Sequence, residues 1–586
     1  MKFHLLYVSS VSACFELENA NPYYSETAYD VTVNGAPALL GVRTNVFSLF
    51  DLEPEKAYSV AVGEEMIQFT TLKETGCISV KDFGAVGDGI VDDTAALQNA
   101  ISCCPSGGRV QVPAGTYLIR PLVLKSDITL ELQKDALLLG DTCEEHYPIL
   151  PGEILDVHTG KELQVSSWEG NPFPCRQSLI SAHYAKNIAI VGQGTIDGNA
   201  VNGQWWVDVK QRKIGRPKLV FLNQCENVVF HGILGRNSAC WNFHPFFSRN
   251  IGFYHTAVEA PKDSPNTDGT DPESCDDVRY IGMRFSVGDD AIAIKAGKVY
   301  MGMKYQTPAT NHLVRNCLME YAHGAMVLGS EMSGGVKDLT VSQCYFKHTD
   351  RGLRIKTRRG RGKYAVIDGV EFSNIKMENV MAPLVMNMYY FCDPDGHEEI
   401  VWSKEPHPVD DSTPYLGSFL FRDMECTDCE WAAGYFYGLT EQPIGSVTIE
   451  NVHFTFKEDA SSGHPAMMSY IDEECKRGLW FNSVKKVTLK NVTMEGQQGD
   501  ELVCEQVERI VQVGIRDFSQ EEKNLAEKSG RIIQFDDQRL LEAEYSGRTW
   551  DEECREIIAT LPEKVYVSFD IDGLDLCYCP HTGTPV

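Results

Sequence analysis

Apolar residues alternate with polar ones through most of this chain, the signature of half-buried strands. From Lys186 onward one plan recurs in KNIAIVGQGTIDG, ENVVFHGILGRNS, RNIGFYHTAVEA, DDVRYIGMRFSVGDD, KDLTVSQCYFKHTD, IDGVEFSNIKMENV, GSVTIENVHFTFKE and KKVTLKNVTMEG. Each copy opens on a polar residue or glycine, runs through alternating apolar positions, turns, and continues in a second short strand. Most copies lie about 20 to 30 residues apart, within the range of repeat architectures. One such unit cannot bury its apolar face alone, whereas stacked units can. Short strands without intervening helices predict a parallel β-helix, a mainly β fold. Ahead of the repeat, turn glycines Gly84, Gly87 and Gly89 precede the cap-like run Asp92, Asp93, Thr94 and the helix-spaced Ala95, Leu97 and Ile101. That helix is expected to cover the N-terminal end of the solenoid, where open strand edges invite aggregation. Residues 1–73 read as short strands and turns, and the β-helix is expected over 78–509. Residues 510–586 mix strand and helix patterns, with helix spacing around Trp550–Thr560 and a buried-strand pattern in KVYVSFDID.

Composition narrows the function. A chain of 586 residues is too long for one ordinary core, which fits an elongated repeat domain. A net charge of -29 disfavours nucleic acid or an anionic membrane as partner. No segment approaches the apolar length of a membrane span. The opening MKFHLLYVSSVSAC has a short apolar run broken by His4 and Tyr7 and alternates like a strand. A first β-strand is expected there rather than a signal. The 19 cysteines, an odd number without framework spacing, predict mostly reduced thiols and a cytoplasmic setting rather than a secreted one. Cys426 and Cys429 form a lone C-x-x-C with no second pair at zinc spacing, so no metal is assigned to them.

Carboxylates concentrate at turns in SPNTDGTDPES, with Asp268 and Asp271, and in VGDDAIAIKAG, with Asp289 and Asp290. Asp268 precedes the Asp289–Asp290 pair by about one repeat. Neighbouring coils of a β-helix are about 4.8 Å apart, so these aspartates are expected on one face. A glycosidase needs such a set: a protonated acid for the leaving oxygen and a carboxylate to activate water, about 6.5–9.5 Å apart in an inverting enzyme. Crowded like charges raise at least one pKa and keep a proton available. Taken singly, Asp-Gly and Asp-Asp pairs are ordinary turn formers; the repeat-matched spacing is what points to a site. His323 follows one or more coils later. Then comes a basic run of Arg351, Arg354, Lys356, Arg358, Arg359, Arg361 and Lys363, expected to supply a positive patch. Arg354 and Lys356 are two apart and share one strand face. Arg suits bidentate carboxylate binding and Lys a point contact.

NTD at 266–268, GDD at 288–290, HG at 323–324 and RIK at 354–356 occur in the order of the four motifs of glycoside hydrolase family 28, the polygalacturonases, which the chain resembles over about 78–509. The resemblance implies a right-handed parallel β-helix and cofactor-free, inverting hydrolysis of α-1,4-linked galacturonate in pectic chains. It implies Asp289 as general acid, Asp268 and Asp290 as the pair that activates water, His323 in support of the acid, and Arg354 and Lys356 on a substrate carboxylate. Tyr389 lies at a plausible distance for the family's substrate-contacting tyrosine, with Tyr390 competing. Ala322 stands where the family usually has glycine, and a local adjustment is expected. A polyanionic substrate on an acidic protein requires a locally basic cleft. Other readings are a calcium-dependent pectate lyase and a non-catalytic pectin-binding β-helix.

Two further resemblances flank this region. Leu52, Pro54 and Tyr58, ahead of alternating Val60 and Val62, resemble the tyrosine-corner region of fibronectin type III sandwiches, a generic hairpin being the other reading. Such a module accompanies exo-acting members of the family, so exo action on oligogalacturonides is expected, with the module as spacer or substrate-side wall. SFDIDGLD at 568–575 and VGIRDFS at 513–519 resemble part of the ureohydrolases, the arginase and agmatinase family, in which the equivalents of Asp570 and Asp572 bind manganese. The chain has no GGDH or DAHxD motif, and Leu576 and His581 depart from the family pattern. Two aspartates are too few ligands for a metal pair, so an inactive fragment is expected.

Overall fold

The computed structural model describes residues 1–507 and, beyond them, 509–513, 524, 528, 532–535 and 537–559. The first strand is Phe3–Val8, as the alternation predicts; it pairs antiparallel with Ala13–Leu17, which pairs with Val46–Leu49. Tyr24–Val33, Ala36–Thr44, Ala57–Val62 and Glu65–Thr70 form a second antiparallel sheet. The two sheets enclose Phe15, Phe47, Val31, Val60 and Tyr58. The Tyr58 hydroxyl accepts a hydrogen bond from the Glu53 amide at 2.8 Å, tying the turn to the strand that follows it.

The repeats stack as coils of a parallel β-helix. One inward row runs Ile188, Val228, Ile251, Val278, His312, Leu339 and Val370, each directly paired with the next. A neighbouring row stacks Phe230 on Phe253 at 4.7 Å and Phe253 on Tyr280 at 5.1 Å, both nearly coplanar. Each coil buries its apolar residues only against the coils above and below, which is why the pattern must repeat. Sharp turns between strands need left-handed backbone, and Asn supplies it at little cost: Asn187, Asn227 and Asn250 have φ of 56°, 58° and 52°. Their amides also bond from coil to coil, Asn227 to Asn187 at 2.9 Å and Asn250 to Asn227 at 2.7 Å. The expected helix is Thr94–Cys103, and its Leu97, Ala100 and Ile101 join the core. Another seven-stranded sheet includes Ile292–Ile294, Met326–Gly329, Arg351–Lys356, Ala382–Asn387, Ala432–Tyr437 and Arg477–Asn482; its outer face carries the site.

Parallel pairing continues past the change of texture near 509: Arg509–Val513 pairs with Val484–Glu495, and Ile532–Phe535 pairs with Arg509–Val513. A β-branched run serves a further coil as well as it serves a new domain, so alternation alone does not mark the boundary. The helix expected near 550 spans Trp550–Ala559.

The N-terminal module docks on the large sheet of the β-helix, not on the seven-stranded sheet beside the aspartates. Glu16 accepts two hydrogen bonds from Arg315, at 2.8 and 2.7 Å, and one from Asn316 at 2.6 Å. Tyr7 stacks on Tyr254 at 5.5 Å. Gly232, with φ of 81°, leaves room for Phe50, whose ring would lie 2.3 Å from an added Cβ. Between the two parts His231 sits between Ser12 and Ser48, 2.9 Å from each hydroxyl, and His255 is 2.8 Å from Ser48. Burial pushes His231 down to about 3 and His255 down to about 4. Unfolded histidine titrates near 6.5. As pH falls below about 6.5 the unfolded chain therefore takes up protons that the docked form refuses. This contribution to stability is complete above that value and is lost progressively toward pH 4. The urea midpoint is expected to fall over this interval, and the fall is expected to shrink in His231→Asn; an unchanged slope in the variant would show that His231 does not drive it.

Candidate active site

Two turns and one strand build the site. The first turn is held from beneath by Arg216, which donates to the carbonyls of Ala239 at 2.7 Å and Pro265 at 3.0 Å and to Asn266 Oδ1 at 2.5 Å. Thr267 ties it to the next coil, because its hydroxyl accepts from the Gly288 amide at 3.3 Å. The Gly269 amide donates to the Asp290 carbonyl at 2.9 Å, and the His323 amide to the Asp289 carbonyl at 3.1 Å. Three successive coils thus bring Asp268, the Asp289–Asp290 pair and His323 together. At Gly269 an added Cβ would lie 2.4 Å from the Ala291 carbonyl, so only glycine lets the coils approach this closely.

Carboxylate oxygens of Asp268, Asp289 and Asp290 lie within 4.8 Å of one another. Residues on adjacent coils start about 4.8 Å apart, which sets Asp268 beside the Asp289–Asp290 pair.

The three carboxylates differ in surroundings. Asp290 is buried, with Lys356 Nζ at 2.8 Å from Oδ2 and Arg354 at 3.5 Å from Oδ1. Burial alone would raise its pKa; Lys356 and Arg354 outweigh that and hold it well below the usual carboxylate range. Asp268 is buried too, and burial, with Asp271 and then Asp289 beside it, drives its pKa well up. Asp289 is the more open of the three, with its side chain 24% exposed. His323 Nδ1 lies 3.5 Å from Asp289, and this contact raises the imidazole pKa. Ala322 has no left-handed backbone, so the missing glycine leaves no strain.

Beneath the cluster lies a buried charge network that sequence reasoning missed. Lys295 Nζ is 3.3 Å from both Asp271 and Glu331 and 4.3 Å from the Trp241 ring centre. Burial raises Asp271 to about 8 despite the lysine, whereas Glu331 is held at about 2, because Lys295 and Lys298 outweigh its own burial. Strand alternation in IAIK places Lys295 on the outer face with Ala293, and that parity was available from the sequence.

The expected positive patch is much smaller than the sequence implied. Arg358 pairs with Asp395 at 2.7 Å, Arg359 with Glu441 at 2.6 Å and Lys363 with Asp411 at 2.8 Å. Arg361 lies 3.7 Å from Asp393, and Arg351 donates to the carbonyls of Pro465 and His464. Only Arg354 and Lys356 of the run reach the aspartates. The tyrosine assignment also changes. Tyr389 is fully buried against Tyr437, with Lys404 Nζ 3.7 Å from its ring centre. Tyr390 instead approaches the basic pair, 5.8 Å from Lys356 Nζ. The 391–413 insertion covers the ring that sequence distance alone favoured.

A short hairpin packs beside the first coil of the site. The hairpin of Ser167–Trp168 and Asn171–Pro172 lays Trp168 on Trp241, ring centres 5.5 Å apart and 9° from coplanar. Ser167 donates to Glu273 at 3.3 Å, and the Gly170 carbonyl accepts from the Lys298 amide at 2.8 Å. This hairpin stands against the coil that carries Asp268, Asp271 and Glu273, the first of the three coils of the cluster. Elsewhere, Cys426 and Cys429 are buried in the core. Asp570, Asp572, Leu576 and His581 lie outside the described residues.

The family model of glycosyl hydrolases family 28 matches residues 108–399, and that of the arginase family matches 469–586. The arginase match begins within coils of the β-helix. A probable polygalacturonase of Vitis vinifera is 30% identical over 384 residues, 64% of this chain and 73% of its own length. An exo-poly-alpha-D-galacturonosidase of Dickeya chrysanthemi is 24% identical over 534 residues, 83% of this chain and 85% of its own. Among solved structures, a family 28 exopolygalacturonase of Yersinia enterocolitica superposes with a TM-score of 0.64 at 21% identity, covering 87% of this chain and 98% of its own. An exopolygalacturonase of Thermotoga maritima gives 0.59 at 25% identity, covering 72% and 92%.

Proposed function

Since the chain belongs to family 28 of the glycosyl hydrolases, we propose that it releases galacturonate from chain ends by inverting hydrolysis, with Asp289 as general acid and Asp268 and Asp290 activating water. The enzyme is a glycosidase of pectic polygalacturonate. In the proposed mechanism Asp290, kept ionised by Lys356 and Arg354, draws the proton from water as it attacks the anomeric carbon. Asp289 protonates the departing glycosidic oxygen from the open side, and His323 orients it. Arg354 and Lys356 also take the carboxylate of the sugar beside the cleaved bond. The observation that carries this reading is the asymmetry within one cluster: three carboxylates within 4.8 Å, one clamped by two cations and one open to the groove.

Exo action is supported by the exo-acting relatives and by the Trp168 hairpin packed beside the coil of Asp268. Galacturonate alone is expected from the first minutes of digestion; a ladder of oligomers would overturn exo action. Stereochemistry is a direct test of the inverting reading. Proton NMR of the fresh product is expected to show β-galacturonate from the α-linked substrate, and initial α-product would overturn inversion. A second reading follows from the surroundings of Asp268, where burial and the neighbouring Asp271 and Asp289 push its pKa up. If Asp268 is the acid, Asp268→Asn is expected to remove the basic limb of the pH profile, and Asp289→Asn is not. A calcium-dependent lyase would yield an unsaturated, ultraviolet-absorbing product and stop with chelator; neither is expected here.

We assign the N-terminal module to the fibronectin type III class on its two sheets and the Tyr58 corner. A cytoplasmic location is proposed from the cysteines, all of them free among the described residues. The C-terminal segment is proposed to lack ureohydrolase activity, which manganese-dependent urea release from agmatine or arginine would overturn.

A further inference from the structure

The groove is closed beyond the cluster. Between the strands Ile444–Phe456 and Arg477–Asn482 the chain leaves the coil and returns over its outer face. The base of this excursion is fixed where Gly463 and Glu474 exchange backbone hydrogen bonds of 3.0 and 2.8 Å. Gly463 lies on Trp431, whose ring would be 2.3 Å from an added Cβ. From there residues 464–468 cross the sheet as a strap. Arg351 holds the carbonyls of Pro465 at 3.1 Å and His464 at 2.8 Å, and Asn387 donates to the Met467 carbonyl at 2.9 Å. At its tip, Met467 Sδ sits 2.7 Å from Nη2 of Arg354, the guanidinium that also faces Asp290. The outer face beneath the strap is closed: Val385 and Tyr435, in the next two coils after Arg354, are each 1% exposed.

We propose that this strap makes the enzyme selective for short galacturonate oligomers, with Met467 as the residue that limits the leaving-group side. The inference rests on the galacturonate hydrolysis proposed above. A chain continuing along the groove past Arg354 meets Met467 within about one coil, 4.8 Å. A long chain must then turn out into solvent or displace the strap, and it gives up groove contacts in either case. Nor does charge compensate. The next cations in the sequence, Arg358 and Arg359, are already paired with Asp395 and Glu441, so they offer no grip to a further carboxylate. A dimer or trimer loses nothing by ending there.

The test compares kcat/KM per non-reducing end for digalacturonate, trigalacturonate and long polygalacturonate, using the full chain. The short substrates are expected to be favoured by about tenfold or more, the size of one lost subsite contact. Met467→Ala, which trims the tip, and Gly463→Val, which lifts the strap from Trp431, are each expected to reduce that preference severalfold. Equal efficiency per end in the unaltered enzyme would overturn the proposal. So would an unchanged ratio in whichever of the two variants melts cooperatively. Failure to release galacturonate from any of the three substrates would instead sink the hydrolase reading, and the strap inference with it.

Discussion

Asp289→Asn is expected to lower galacturonate release from digalacturonate by about 10²–10⁴-fold, the usual worth of a positioned general acid, while the dissociation constant for substrate changes little. Asparagine keeps the shape of the side chain and can still accept from the Asp290 amide, which donates to Asp289 Oδ1 at 3.0 Å. The fold of the turn should therefore survive, and a melting temperature within a few degrees of the parent would confirm that. What is lost is the proton for the leaving oxygen. An activated aryl galacturonide, whose leaving group needs no proton, should be turned over by the variant far better than the natural sugar. Parent-like turnover of digalacturonate would remove Asp289 from the acid role, and with a matching loss in Asp268→Asn the second reading would take its place.

Lys356→Met is expected to lower kcat/KM by about 10²–10³-fold, because it breaks a buried, hydrogen-bonded charge pair worth about 2–4 kcal/mol. Two effects combine in that loss. The substrate carboxylate loses one of its two cations, which raises KM. Asp290 also loses the nearer of the groups that hold it ionised, leaving Arg354 at 3.5 Å against burial and two neighbouring aspartates. Its pKa must rise, so the protonated, inactive form persists to higher pH. The acid limb of the kcat profile is expected to move upward in the variant, toward neutrality. A fall in kcat/KM with an unmoved acid limb would mean that Lys356 binds substrate but does not tune Asp290.

Sequence and structure agree where the determinants are periodic. Alternation located the strands, and the repeat spacing placed Asp268 beside Asp289 and Asp290. Strand parity put Arg354 and Lys356 on one face, where both now meet Asp290. Agreement failed where a residue's partner sits on an insertion. Arg359 looked like part of a cationic patch, yet Glu441, 82 residues away, takes it up. Arg351 looked the same and is spent on the carbonyls of the strap, 113 and 114 residues on. Tyr389 and Tyr390 are adjacent and both buried, and only the tertiary fold decides that Tyr390 is the one that approaches Lys356.

By itself, then, the chain's alternation and repeat length determined a stacked solenoid and the row of aspartates on it, because a two-residue period and a constant coil offset are local properties that any stretch of sequence displays. Tertiary structure alone decided the shape and charge of the groove. Trp168 reaches Trp241 and Met467 reaches Arg354 through loops that have no period, so their destinations are set by packing and by competition among charges for partners.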